Sequence, residues 1–183
     1  PSEIKIDATT IRGQMFGYDS NMIPENVRAD WKYFQKEKEL FKDYPFPETL
    51  NFKCSDVILE CLGSIVLIKR KSAPGRDLWA LPGGFKNRDE TFLDCGIREL
   101  FEETGVKVPE KVVRGSIVKK EIFDDPKRSM GIPRNTLVIH VKISPDADGS
   151  LPKLKPADDA VDAEWFPLSE VIDNMCLFED HSD

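Results

Sequence analysis

Gly84-Phe-Lys-Asn-Arg-Asp-Glu90, seven further residues, and Arg98-Glu99-Leu100-Phe101-Glu102-Glu103-Thr104-Gly105-Val106 crowd four glutamates and an arginine around one stretch of chain. At roughly 100° per residue, Glu99, Glu102 and Glu103 share one face of a predicted helix, with Arg98 beside Glu102 at its edge. There the guanidinium can fix a carboxylate in one rotamer through a charge-assisted bond. Phe92, Leu93, Ile97, Leu100 and Phe101 form the opposite face, suited to burial against a sheet. Thr91 sits at the predicted helix start and Gly105 at its stop. Carboxylates packed this closely repel one another unless a cation lies among them, so the segment reads as a divalent-metal site. A plain solvated helix face would explain neither Pro82-Gly83-Gly84 just upstream nor the absence of matching lysines.

These residues resemble the signature of the Nudix hydrolases, G-x5-E-x7-R-E-U-x-E-E-x-G-U, where U is a bulky aliphatic residue. Gly84, Glu90, Arg98, Glu99, Leu100, Glu102, Glu103, Gly105 and Val106 match every defined position. The resemblance implies an α/β fold, an α/β/α sandwich with a mixed sheet. It also implies magnesium- or manganese-dependent attack of water on a nucleoside diphosphate linked to another group. Carried over by position, Glu99 and Glu103 would be the main metal ligands, Glu102 would complete the set and Glu90 would support it. Arg98 would orient a glutamate, and the Gly83 carbonyl is a further expected ligand.

The chain has 183 residues, enough for one well-buried domain with an appendage. A net charge of −7 leaves no basic stripe to neutralise phosphates, which argues against a nucleic-acid partner. No apolar run approaches membrane-spanning length and no signal-peptide pattern is present, so a cytoplasmic protein without a membrane partner is expected. Cys54, Cys61, Cys95 and Cys176 are isolated and only two histidines occur, so zinc is not expected. The cysteines read as reduced thiols in or near the core.

Residues 1–48 read as an N-terminal appendage and linker, with a helical stretch from Pro24 to Phe41 ended by Tyr44-Pro45-Phe46-Pro47. Residues 49–183 read as the hydrolase domain. Asp56–Cys61 and Ser64–Lys69 predict a hairpin turning at Leu62-Gly63. Further strands are predicted at Val112–Phe123, Thr136–Ile143 and Ala163–Phe166, with a helix from Ser169. Trp31 and the aromatics around Tyr44 can pack the appendage onto the domain or onto a second copy in a homodimer.

Loops outside the motif should select the substrate. Asp124-Asp125-Pro126-Lys127-Arg128 with Arg134 resembles the loop of ADP-ribose pyrophosphatases whose cations meet the diphosphate and terminal ribose; a solvated hairpin loop is the alternative. Arg70 can touch a phosphate from the end of its strand. Ala157-Asp158-Asp159-Ala160 ahead of Glu164-Trp165-Phe166-Pro167 matches a stretch common in the family, from which Asp159 or Asp158 could act as general base. Glu99 is the rival base, and an acidic turn is the plainer reading. Trp79 is expected to pack rather than stack on substrate, and His140 to be structural. Ile6-Asp7-Ala8-Thr9-Thr10-Ile11-Arg12 resembles the phosphate-holding segment near the end of nicotinamide mononucleotide adenylyltransferase domains, although Asp7 replaces the usual serine. That resemblance implies covalent fusion to an adenylyltransferase domain in a longer protein, of which this chain would be a piece. Together the resemblances imply hydrolysis of a small nucleoside diphosphate, ADP-ribose, to AMP and ribose 5-phosphate. The alternatives are NADH, a sugar nucleotide or a dinucleotide as substrate, or a non-catalytic module that senses ADP-ribose.

Overall fold

The computed structural model describes residues 25–45, 50–129, 131–156, 160–175 and 177–181. The Ile6–Arg12 segment, Asp158, Asp159 and Cys176 lie outside the described residues. Elements run in the order α1 (Glu25–Phe41), β1 (Phe52–Cys61), β2 (Ser64–Arg70), β3 (Trp79–Ala80), β4 (Gly83–Phe85) and α2 (Phe92–Thr104). After these come α3 (Glu110–Gly115), β5 (Ile117–Phe123), β6 (Arg134–Lys142), β7 (Ala160–Pro167) and α4 (Leu168–Asn174).

The predicted hairpin forms as β1 and β2. Leu62 and Gly63 both adopt positive φ, 51° and 74°, the backbone that a two-residue turn between right-twisted strands requires. Beyond that turn the two strands separate. β1 pairs with β2 only at Glu60 and Cys61, then takes β4 as its antiparallel neighbour from Cys54 to Asp56. β2 pairs with β3 through Ile68 and Lys69, and with β7 along its other edge. On its far edge β1 lies parallel to β6 from Phe52 to Glu60, and β5 closes that side antiparallel to β6. The result is a mixed sheet whose middle strands splay, with the short strands β3 and β4 filling the gap. The glycine turn of the motif therefore enters at the centre of the sheet rather than at its rim.

Alternation along β1 sends Val57, Leu59 and Cys61 to one face, where they pack with Ile97 and Leu100 of α2 and with Ile139 and Val141 of β6. On the other face Ile58 joins Ile65, Leu67, Leu81, Val171 and Leu177. Helices thus cover both sides, giving the expected α/β/α sandwich. Cys54, Cys61 and Cys95 are buried free thiols. Trp79 packs edge-on against Phe166 at 4.7 Å, and His140 Nε2 lies 2.8 Å from Glu60 Oε2 on the neighbouring strand. Both roles are structural.

The strand expected over Val112–Phe123 begins only at Ile117. Its first residues instead form α3, because Pro109 sets the entry, Glu110 lies in the first turn and Arg114 bonds back to Glu110 at 2.7 Å. Local capping and pairing override the β-branched pair Val112-Val113. Among the described residues no helix is long and apolar enough to cross a membrane.

α2 can approach the sheet closely because Gly96 faces it. A Cβ there would stand 2.7 Å from Ser55 Oγ and 2.8 Å from Ile139 Cδ1, both on fully buried residues. Gly96→Ala is therefore expected to lower the thermal midpoint by several degrees. Overpacking of roughly 1–3 kcal/mol exceeds the helix-propensity gain of about 1 kcal/mol. Thermal unfolding checks this, and an unchanged midpoint would mean that α2 can lift freely off the sheet.

Candidate active site

Thr91 caps α2: its hydroxyl accepts the Asp94 N–H, and the Asp94 side chain accepts the Thr91 N–H. Gly105 ends the helix in the left-handed conformation with φ 53°, and its N–H donates to the Phe101 carbonyl. Between these ends the motif side chains divide into two groups. Arg98 gathers the outer carboxylates: Nε and Nη2 donate to Glu90, and Nη1 donates to both Glu99 Oε1 and Glu102 Oε2 at 2.8 Å. Its hydrogen bonds hold the Glu90 carboxyl down at about 2. Glu102 lies at the rim, with its side chain 42% exposed.

Glu103 turns inward. Its Oε2 accepts the Gly83 N–H at 2.9 Å, and burial pushes its carboxyl up to about 8. Glu99 reaches β4 from the same helix face: a Cβ on Gly84 would stand 2.5 Å from Glu99 Oε1, so only glycine leaves that carboxylate its place. Burial also raises the Glu99 carboxyl above its ordinary range. Asp56 of β1, which pairs with Gly83, is buried too, and its carboxyl is pushed up to about 7 by loss of solvent.

Among the described residues no three His, Cys, Asp or Glu side chains converge tightly enough to enclose an ion by themselves. The chemistry of the donors nevertheless fits a hard divalent cation. They are carboxylate oxygens of Glu99 and Glu103 beside the Gly83–Gly84 backbone, and their burial makes negative charge costly without a cation nearby. The thiols are poor candidates for nucleophiles, since burial pushes Cys54 and Cys95 up to about 12.

Gly83 and Gly84 line an open cleft that also takes in Arg70, Arg128 and Arg134. The three arginines differ sharply. Arg128 donates through Nε and Nη2 to Asp180 at 2.6 and 2.9 Å, and through Nη1 to Thr136 Oγ1 and the Phe123 carbonyl, which makes it a brace across β5, β6 and the chain's last turn. Arg134 is buried, bonded to Ser129 and near Glu37 and Glu179 at 3.6 and 3.5 Å. Arg70 donates Nε to the Pro74 carbonyl, and its guanidinium carbon sits over the Phe178 ring, 4.1 Å from the centroid. Among the described residues no carboxylate comes within 4.0 Å of the Arg70 guanidinium, so it is the arginine best placed to receive a phosphate.

Residues 177–181 contribute groups that the sequence reading did not assign. Phe178 N–H donates to the Trp79 carbonyl, and Leu81 N–H donates to His181 Nδ1 at 3.0 Å. That bond leaves the proton of a neutral imidazole on Nε2, 3.7 Å from Asp56 Oδ2. Burial lowers His181 to about 4, so the ring is neutral at ordinary pH. Asp56, Phe178, Asp180 and His181 thus join the motif residues and the arginines. The cluster Phe178-Glu179-Asp180-His181 was the available signal.

The chain matches the NUDIX domain model over residues 56–182. It belongs to the Nudix family. The Nudix helix is α2 and the Nudix turn is the Gly83–Glu90 stretch ahead of it. The chain is 36% identical over 116 residues to an ADP-ribose pyrophosphatase of Methanocaldococcus jannaschii, covering 63% of this chain and 62% of that protein. It superimposes with a TM-score of 0.79 and 35% identity on a bifunctional NMN adenylyltransferase/ADP ribose pyrophosphatase of Francisella tularensis complexed with AMP and a Mn ion. That match covers 86% of this chain and 46% of the Francisella protein. The NUDIX domain of Shewanella oneidensis NrtR complexed with ADP ribose shares the fold, with a TM-score of 0.61 and 24% identity over 79% of this chain and 91% of that one. The chain therefore spans less than two thirds of the Methanocaldococcus enzyme and about half of the Francisella protein.

Proposed function

We propose that this Nudix domain hydrolyses ADP-ribose to AMP and ribose 5-phosphate with magnesium or manganese. One observation carries the reading: the two glycines that touch Glu99 and Glu103 line the same cleft as Arg70, so the backbone beside the cation-holding carboxylates and a cation for a phosphate border one space. The similarity to ADP-ribose pyrophosphatases at 36% and 35% identity supports that substrate.

Glu99, Glu103 and the Gly83 carbonyl would hold the ion, with Glu102 completing the set at the rim. A divalent ion bound there supplies charge neutralisation at the diphosphate and acidifies an attacking water. Arg98 fixes the Glu90, Glu99 and Glu102 rotamers, so their positions are set before substrate arrives. Gly83 N–H does the same for Glu103. Arg70, stacked on Phe178 and tethered at Nε, presents its remaining N–H groups to a phosphate; Arg128 and Arg134 shape the cleft around it. Glu99, Asp158 or Asp159 would take the proton from water. We further propose that the protein works in the cytoplasm on a free small-molecule substrate, and that residues 1–48 connect it to an adenylyltransferase domain in a longer chain.

The test is product identification on a panel of ADP-ribose, NADH, a sugar nucleotide and a dinucleotide with magnesium. ADP-ribose is expected to be turned over with the highest kcat/KM, giving AMP and ribose 5-phosphate in equal amounts. Binding of ADP-ribose without turnover would assign a sensing module instead, and a preference for another substrate would reassign the cleft.

A further inference from the structure

α1 precedes residue 56, where the match to the Nudix family begins, yet it is built into the cleft. Two of its carboxylates grip the domain. Asp30 Oδ2 accepts the Gly75 N–H at 3.0 Å, and Glu37 Oε2 accepts the Ile132 N–H at 2.9 Å while Oε1 faces Arg134. Trp31 and Phe34 are buried between these anchors. At Gly131 a Cβ would run into the Glu37 carboxylate and stand 2.9 Å from Phe34 Cδ1, so the loop is shaped to receive this helix.

Tyr33 follows Asp30 by three residues and precedes Glu37 by four, which puts it on the same docked face. Both anchors hold segments that border the cleft, at Pro74 and at Arg134, and Tyr33 lines the cleft between them. Its ring is half-buried and is met edge-on by Phe34 at 5.5 Å. Phe85, on the Nudix turn and 51% exposed, also lines the cleft.

We propose that α1 is a working wall of the substrate cleft and that Tyr33 is a specificity-determining residue whose ring packs against the base of a nucleoside diphosphate. The division of chemistry within the cleft points to the base. Carboxylates and Arg70 take the diphosphate, and the rings of Tyr33 and Phe85 border the same cleft, where an aromatic face suits a flat, uncharged heterocycle. The inference rests on the nucleoside diphosphate reading of the cleft, and it makes the linker helix part of the hydrolase site.

The experiment titrates the wild-type chain, Tyr33→Phe, Tyr33→Leu and Tyr33→Ala with AMP and, separately, with ribose 5-phosphate in magnesium by calorimetry. ADP-ribose kinetics are measured alongside. Loss of one stacked base corresponds to about tenfold weaker AMP binding and a similar rise in KM, with kcat within roughly twofold. That loss is expected for Tyr33→Ala and Tyr33→Leu. Tyr33→Phe is expected to stay near wild type, and ribose 5-phosphate affinity to stay constant throughout. The leucine variant keeps apolar bulk under α1, so its loss cannot be ascribed to undocking. Unchanged AMP affinity in the leucine and alanine variants overturns the proposal, as does weakened ribose 5-phosphate binding with AMP unaffected. A wild-type protein that binds AMP through Tyr33 but leaves ADP-ribose intact would sink the hydrolase reading alone.

Discussion

Glu103→Gln is expected to lower kcat/KM for ADP-ribose by about three orders of magnitude while leaving the fold intact. The carboxylate accepts the Gly83 N–H at 2.9 Å, and a glutamine oxygen can accept the same bond in the same volume. Only the charge is lost. In the wild type that charge is buried, and the carboxyl is held up at about 8 by desolvation, with the neighbouring Glu99 and Asp56 adding repulsion. Removing it relieves the helix and sheet, so the thermal midpoint measured in chelator should be equal to or above that of the wild type. A ligand charge that an ion needs is gone at the same time, so saturation with magnesium should require more metal and still fall short. Steady-state kinetics across a magnesium titration, with thermal unfolding on the same samples, reads both halves. Near wild-type turnover would remove Glu103 from the metal site, and a sharply lowered midpoint would make its role one of packing.

The part of this site that is contiguous in sequence was legible, because helix periodicity alone brings residues 99, 102 and 103 to one face and the glycine turn precedes them directly. The hairpin at Leu62-Gly63 was legible for the same reason: both of its signals are local. The arginines show where such reading stops. A sequence displays Arg128 and Arg134 as loop cations, but what occupies them arrives from far along the chain. Asp180 is 52 residues from Arg128 and Glu37 is 97 from Arg134. Whether a guanidinium is free for substrate depends on those distant partners, and of the three cleft arginines only Arg70 has no carboxylate partner among the described residues. Asp56 was hidden differently. It sits in a β-strand pattern where alternate residues are polar anyway, and only the splaying of β1 from β2 turns its position toward the cleft. Tyr33 was invisible because its helix reads as a linker until the anchors Asp30 and Glu37 find Gly75 and Ile132. Asp159 lies outside the described residues, so its proposed role as base still rests on the resemblance that suggested it.

Stability of the chelated protein is expected to fall as pH rises from about 6.5 to 8, and magnesium is expected to reverse that fall. Glu103 titrates at about 8 in the folded protein against an ordinary 4.5, and Asp56 at about 7 against 3.8. In that interval the folded state holds protons that the unfolded chain has released, so each pH unit weakens folding by up to about 1.4 kcal/mol per retained proton. His181 works in the opposite sense, since burial lowers it from 6.5 to about 4 and its contribution grows as pH rises between those values. It masks the carboxylates below about 6.5 and is spent above it, which is why the upper interval is the diagnostic one. The acids held low, such as Glu90 at about 2, change only at far lower pH. A loss of roughly 2 kcal/mol corresponds to about 4–8 °C in a domain of this size. A divalent ion favours the ionised carboxylates, so its stabilisation should be small near pH 6 and largest near pH 8. Glu103→Gln should flatten most of the slope in chelator and lose most of the magnesium response. Thermal scans of both proteins across this pH range, with chelator and with magnesium, decide the matter. A wild-type midpoint that holds steady or climbs from pH 6.5 to 8 in chelator would mean that Glu103 is not a buried acid starved of a cation.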